Sequence, residues 1–385
     1  MAIDRAYQHH MKVKSRGVRT LLAGGVLVLA AGCRESRAPV RFGVAFTAQN
    51  IPAAYIAADE INSAGGVRGR VVQLVQDSIP VQAEPADVEI QRAQRLVAAG
   101  SLVAVVGHGG SRGSLAVAPV YNDAHVVQIV PNGTSRLLAR AGRWTLTMPP
   151  NDSIEGAFIA RFVRDSLHAA SVVIFYVSDE YGVGLRDGIL SALGGSGIRV
   201  LRDQRYDLGS DLDPLVDVAV QREAPGVVIV AGRTAAACAI ARRLAVRAPQ
   251  TRVVVGDGAV NMPALARDAG PWAEGRLYAA TFWLPSPRDS ASRRFTRAIS
   301  DRLARDPTAT DALVYDAVML LAAAVREVGD QPRDVLDYLL ALGRSRPRYR
   351  GVTGEIGFGD GAGPPRLVMG LLRGASLVPV DSTAP

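Results

Sequence analysis

The chain has 385 residues, 48% of them hydrophobic and 21% charged, so it is long enough for two ordinary domains and apolar enough to exclude global disorder. Its formal net charge is +8, but five basic residues and one acid among the first 32 account for half of that. Beyond Lys14 the arginines are scattered among acids and aromatics make up only 5%, so no basic stripe with stacking residues exists and nucleic-acid binding is not expected.

Lys12, Lys14, Arg16 and Arg19 precede an apolar run from Leu21 to Ala31, followed by Gly32 and Cys33. Basic residues, a short apolar run and small residues before a cut form the layout of a secretory signal. The run is shorter than the roughly 20 residues that a membrane-spanning helix needs. Leu29-Ala30-Ala31-Gly32-Cys33 looks like a bacterial lipobox, although the usual Leu three before the cysteine stands one place earlier. The expectation is a signal peptide over 1–32, acylation of Cys33, a tether over 33–38, and a mature protein anchored in the periplasm or at the cell surface. A plain signal with an incidental cysteine is the alternative. Cys238 stands alone, so no disulfide framework is available and stability must come from core burial.

Strand-like and helix-like segments then alternate. Val40 to Phe46 predicts a strand, and Pro52 opens a helix with Ala54, Ala57, Ala58 and Ile61 on one face, stopped by Gly65-Gly66. Val71 to Val75 predicts a strand, Pro85 to Ala99 a helix, Leu102 to Val106 a strand, and a helix starts near Ser114. After strand Val126 to Val130 and a turn at Pro149-Pro150, the alternation restarts with strands Ser171 to Val177, near Ile198, and Val227 to Val230. Continuous apolar strands such as Val172-Val173-Ile174-Phe175 belong to parallel sheets buried on both faces. Two such runs predict two doubly wound α/β lobes. The later part is mostly helical, with short strands near Glu355 to Phe358 and Leu367 to Leu372.

The chemistry concentrates between Leu102 and Ser114, where an apolar strand runs into Gly107-His108-Gly109-Gly110-Ser111-Arg112-Gly113 and then a helix. Ligands of open α/β sheets sit beyond the carboxyl ends of the strands, and a helix N-terminus favours an anion. Ser111 can add its hydroxyl to those amides. Gly109 to Gly113 also fits the G-x-S-x-G pattern of a hydrolase, but that reading needs a late histidine base, and no histidine follows His168. Gly107, Gly109 and Gly113 approximate a dinucleotide-binding turn with one residue too many before the last glycine. A turn that needs glycine for geometry alone is a further reading. Reversible capture of a small anion or zwitterion fits best, with no cofactor and no catalytic residue. No histidines or cysteines beyond the signal sit at metal-ligand spacing.

Further marks are Ala57-Ala58-Asp59-Glu60-Ile61-Asn62 with Gly65-Gly66, Pro131-Asn132-Gly133-Thr134, Asp179-Glu180-Tyr181-Gly182, Gly256-Asp257-Gly258 and Tyr315-Asp316-Ala317. In this order the chain resembles the type I periplasmic solute-binding proteins of the leucine/isoleucine/valine-binding family. The resemblance covers nearly all of residues 39 to 375. It implies a monomeric clamshell of two α/β lobes joined by three hinge crossings, expected near Met148–Pro150, Ala280–Phe282 and Arg350–Gly354. Lobe one would hold 39–149 with 282–350, and lobe two 150–281 with 354–378. The resemblance further implies a receptor for an ABC importer, not an enzyme, delivering a branched-chain amino acid or related small carboxylate to a membrane permease. A sensor of the same fold that signals to a receptor partner is the rival reading, with an exported serine hydrolase at Ser111 a remote one.

By the resemblance, Ser111 holds the ligand carboxylate, and Asn132, Gly133 and Thr134 form the segment that grips carboxylate and amine. Tyr181 closes from the second lobe, and Asp257 falls near the acid that pairs with the ammonium. Arg233 stands where the family often has a tyrosine. The loop from Thr47 to Ile51 is shorter than usual and lacks the family's Ser-Gly and Tyr-Gly elements, so one pocket wall is missing or rebuilt. Arg112 and Arg233 add positive charge near the anion site in one reading, which would favour a second acidic group on the ligand, and in the other they point to solvent or form structural salt bridges.

Overall fold

The computed structural model describes residues 38–77, 85–262, 264–358 and 367–380. The expected signal segment, Cys33 and most of the tether lie outside the described residues.

Five parallel strands make the first sheet: β1 (Val40–Ala45), β2 (Val72–Gln76), β3 (Leu102–Gly107), β4 (Val127–Val130) and β5 (Thr145–Thr147), in the order β2-β1-β3-β4-β5. Helices α1 (Ile51–Ser63), α2 (Ala86–Ala98) and α3 (Gly110–Asp123) connect the first four strands. Side chains alternate across a strand, so β3 serves two cores at once. Ala104 and Val106 belong to the core that α1 shares, and Val105 to a separate one with Ala93 and Leu96 of α2 and Tyr121 of α3. This double burial is why β3 reads as an unbroken apolar run.

The second sheet has β6 (Ser171–Val177), β7 (Arg199–Tyr206), β8 (Val227–Ala231), β9 (Arg252–Val255) and β10 (Leu277–Thr281) in parallel, ordered β10-β9-β8-β6-β7. It is built on α4 (Asp152–Asp165), α5 (Glu180–Leu193), α6 (Asp213–Val220), α7 (Thr234–Arg247) and the short α8 (Ala264–Ala269). Asn151 and Asp179 cap α4 and α5 by accepting from Ser153 and Gly182 backbone N–H groups. After β10 the chain returns to the first lobe with α9 (Ser290–Leu303), α10 (Ala309–Val328) and α11 (Pro332–Ala341). It ends in the second lobe with β13 (Val368–Arg373) and β14 (Ser376–Pro379), antiparallel additions beside β10.

The two lobes have separate cores, and the chain passes between them three times. Met148 belongs to the first core and Ile159 to the second; Ala280 belongs to the second and Phe282 to the first. Leu367 still packs on the first core, whereas Met369 lies in the second. The last passage therefore comes later than the sequence suggested. Around Arg350–Gly354 the chain makes a hairpin, β11 (Tyr349–Gly351) and β12 (Gly354–Ile356), that stays with the first lobe. Buried Asp316 of α10 holds it there by accepting from the Val352 and Thr353 N–H groups at 2.8 and 2.7 Å.

Helices α4 and α5 meet backbone to backbone at Gly156 and Gly188: a Cβ on Gly156 would lie 2.5 Å from the Gly188 carbonyl carbon. Gly156→Val is therefore expected to destabilise by about 1–3 kcal/mol, read as a lower urea midpoint with an unchanged slope. A midpoint equal to that of the parent would show that the helices can separate freely.

Candidate functional site: a cleft between the lobes

The carboxyl ends of β1 and β3 and the start of α3 face the starts of α5 and α7 and the turn after β9 across a cavity of about 380 Å³. That volume lies at the small end of ligand sites. Ser111 and Asn132 line it from one lobe, and Tyr181, Arg233 and Asp257 from the other. Two bonds span the lobes at the rim, Gln49 Nε2 to Asn261 Oδ1 at 3.3 Å and Arg136 NH1 to Ser153 Oγ at 3.2 Å.

The first wall depends on glycine. Gly107 has φ +146°, and a Cβ there would lie 2.4 Å from the Ala45 carbonyl oxygen, so only glycine lets β3 run this close to β1. Helix α3 starts at Gly110, earlier than the sequence suggested. The Gly110 N–H donates to Asn132 Oδ1 at 2.8 Å, which takes one of the orphan donors of the helix. Ser111 is 3% exposed, and its Oγ accepts from the Thr134 and Ser135 N–H groups at 3.2 and 3.0 Å. Both bonds leave the hydroxyl proton uncommitted. Gly133 and Thr134 do not reach the cavity wall. Thr134 is buried behind it, and its carbonyl accepts from the Asp152 N–H, which ties this turn to α4.

In the second wall the Tyr181 hydroxyl accepts from the Gly258 N–H at 2.9 Å. The Arg233 guanidinium lies 4.7 Å over the Tyr181 ring and donates to Asp179 at 2.7 Å. Asp257 presents its side chain to the cavity while its N–H donates to Glu155 Oε1 at 2.8 Å. Glu155 and Asp152 lie fully buried behind it. Burial pushes all three carboxyl groups up, and mutual repulsion adds to the shift for Glu155 and Asp152; Asp152 is raised to about 7.

The arginines follow the second of the two readings that the sequence left open, except that Arg233 also reaches the cavity. Arg112 is exposed and absent from the cavity wall, because one residue along a helix from Ser111 turns the side chain by about 100°. Arg233 lines the cavity but is already paired with Asp179. The charged residues that sequence reasoning missed are Glu89 and Arg92 on α2, which form part of the wall beside Gly109 and Ser111. Arg92 is 2% exposed, donates through NH1 to Glu89 Oε2 at 3.1 Å, and among the described residues has no hydrogen bond at Nε. Glu89 Oε2 also lies 2.5 Å from His108 Nδ1, and His108 Nε2 lies 2.8 Å from the Tyr121 hydroxyl. Burial lowers the His108 pKa; Glu89 is also buried, but the His108 and Arg92 contacts outweigh that and keep it ionised. The one sequence signal was the i, i+3 acid–base pair, which marks an ordinary solvated helix face just as well. Among the described residues no cluster of His, Cys, Asp and Glu is arranged to hold a metal, and Cys238 is buried on α7.

Two α/β lobes with separate cores thus enclose, between their strand ends, a cavity lined by polar and apolar groups alike. The chain belongs to the periplasmic binding protein family, whose model matches residues 44–374. An amino acid binding protein of Pseudomonas aeruginosa is 26% identical over 56% of this chain, which spans only 57% of that relative's length. A chemotactic signal transduction substrate-binding protein of Halobacterium salinarum is 28% identical over 74% of this chain and 67% of its own. The Leu/Ile/Val-binding protein of Escherichia coli is 24% identical over 76% of this chain and 78% of its own. Among solved structures, a branched-chain amino acid transporter substrate binding protein from Streptococcus pneumoniae, in complex with isoleucine, superposes with a TM-score of 0.78 at 20% identity, covering 88% of this chain and 98% of that one. An ABC transporter substrate-binding protein from Desulfitobacterium hafniense in complex with Leu gives 0.75 at 24% identity, covering 89% and 100%.

Proposed function

We propose that the protein is the extracytoplasmic receptor of an ABC importer, held at the membrane by an acyl chain on Cys33, and that it binds a branched-chain amino acid or a related small carboxylate. The observation that carries this is Ser111, on the open end of α3, facing Tyr181 and Asp257 across one cavity. The first lobe receives the carboxylate on the uncommitted Ser111 hydroxyl and the first-turn amides. The second offers the Asp257 carboxylate to an ammonium group and the Tyr181 ring to the rest of the ligand. A ligand that touches both lobes favours the closed arrangement, and the permease reads that state. The names of the Escherichia coli, Streptococcus pneumoniae and Desulfitobacterium hafniense proteins support an amino-acid ligand. The Halobacterium salinarum relative supports a sensing role as a second reading, with the same cleft and a signalling partner.

Ser111 is poorly placed to be a nucleophile. His108, the histidine nearest in sequence, has both ring nitrogens engaged, by Glu89 and Tyr121. Ser111→Ala is expected to weaken binding by about 1–3 kcal/mol, the cost of a lost buried hydrogen bond. Titration calorimetry against leucine, isoleucine, valine and small organic acids measures this. Unchanged affinity in the variant, or a parent protein that binds none of these, would overturn the proposal.

A further inference from the structure

We propose that Arg92 and the start of α3 form a second anion-binding subsite in the cleft, so that the ligand carries a second carboxylate in addition to the one received at Ser111. This rests on reading the cleft as a small-carboxylate site and narrows the class of ligand it takes.

A guanidinium has five N–H donors and no acceptor, and one that is withdrawn from water needs partners for them. Arg92 is 2% exposed, and the described residues give it a single bond, to Glu89. Among the described residues its Nε has no partner, and this atom is buried, while the side chain as a whole forms part of the cavity wall. Ionised Glu89 offsets the Arg92 charge but takes only one of its five donors. Its Oε2 is shared between Arg92 NH1 and His108 Nδ1. Burial keeps the Tyr121 hydroxyl protonated, so it donates to His108 Nε2, and this fixes the His108 proton on Nδ1, towards Glu89. Glu89 is thus met by two donors from behind the wall. The remaining terminal N–H groups of Arg92, with those first-turn amides of α3 that the first carboxylate does not take, are left for the cavity.

The two observations are independent. One is a helix start whose Gly110 N–H alone is taken, by Asn132. The other is a buried arginine with open donors on the adjacent helix. The short Phe46–Asn50 segment forms the facing part of this wall, and Phe46, Thr47, Gln49 and Asn50 all reach the cavity. A planar fork of N–H groups matches a carboxylate better than any neutral side-chain terminus. An aliphatic ligand side chain would leave those donors unpaired.

Calorimetry on the mature protein tests this with pairs that differ only in charge: L-glutamate against L-glutamine, and glutarate against its monoamide, with leucine as reference. The diacid of at least one pair should bind about tenfold tighter or better, as charge-assisted bonds to a buried arginine require. In Arg92→Gln that ratio should fall to near one while the affinity of the amide partner is retained. The wild-type ratios need no variant, so instability of R92Q leaves the test intact. Amides or leucine binding as tightly as the diacids would overturn the subsite and leave the receptor reading standing. No binding by any member of the panel would overturn both.

Discussion

Asp152→Asn is expected to stabilise the protein at pH 8 and to leave its stability unchanged at pH 4. Asp152 is fully buried, and among the described residues neither carboxylate oxygen has a well-formed hydrogen bond, the nearby Thr134 hydroxyl offsetting only part of the burial. Burial pushes its pKa from 3.8 to about 7. Below about pH 4 the carboxyl is protonated in both the folded and the unfolded chain and contributes nothing to the difference. Between pH 4 and pH 7 the unfolded chain releases its proton while the folded one keeps it, so folding becomes less favourable by roughly 1.4 kcal/mol per pH unit. Above pH 7 the penalty levels off at about 4 kcal/mol. Asparagine has the same shape and no charge, so it removes the penalty where the penalty exists. Denaturation of parent and variant at pH 4, 6 and 8 measures this, and a stability difference that does not grow with pH would refute it. Glu155 and Asp257 are raised by the same burial, so the parent itself should lose stability over this range.

Asp311→Ala should be the most damaging single change outside the apolar cores. Asp311 is fully buried and accepts from both Arg305 terminal nitrogens at 2.7 and 3.0 Å, from Asn50 Nδ2 at 2.9 Å, and from the Thr308 N–H and hydroxyl at 2.8 Å each. Arg305 also donates to the Gln49 carbonyl at 2.8 Å, so one hub ties the start of α10 to the loop after β1. Removing one partner of a buried ion pair leaves the other uncompensated and costs about 3–5 kcal/mol. Asn50 and Thr308 both line the cavity, so ligand affinity should fall together with stability. Thr308→Ala removes the helix cap and one donor to Asp311 but leaves the ion pair, and should cost about 1 kcal/mol, which makes it the reference. A denaturation experiment in which D311A costs no more than T308A would show that the hub carries no special weight.

How far each part of the molecule was legible follows from the range of the interactions involved. The unbroken apolar runs of β3, β6 and β8 announced parallel strands buried on both faces, because a strand that serves two cores has no polar side to display. The Gly107-to-Gly113 turn announced a ligand end of the sheet, since a glycine-dependent approach to β1 and a helix start lie within a few residues of each other. Tyr181 and Asp257 were found through motifs, and both lie on the cavity wall. Thr134 was placed one layer too far forward. It belongs to the same turn as Asn132, but its side chain is directed behind the wall, and sequence spacing carries no information about that choice.

Charged residues were the least legible. Arg112 stands next to Ser111, and the sequence left its role in the site open; it faces solvent. Arg92 sat in a helix whose expected apolar face was Ile90, Ala93, Leu96 and Val97, and it is buried with Ala93 and Leu96. Glu155 and Asp152 fall in the first turn of α4, where acids are favoured in any case, so nothing local marks them as buried. What the sequence determined by itself was everything set by local periodicity and turn chemistry: two α/β lobes, their order, and the strand ends on which the cavity opens. Only the tertiary structure decided which charges line that cavity. Their burial is imposed by segments far apart in the chain, Arg92 beside His108, Asp257 against Glu155, and Asn50 against Asp311, and no local pattern records such meetings.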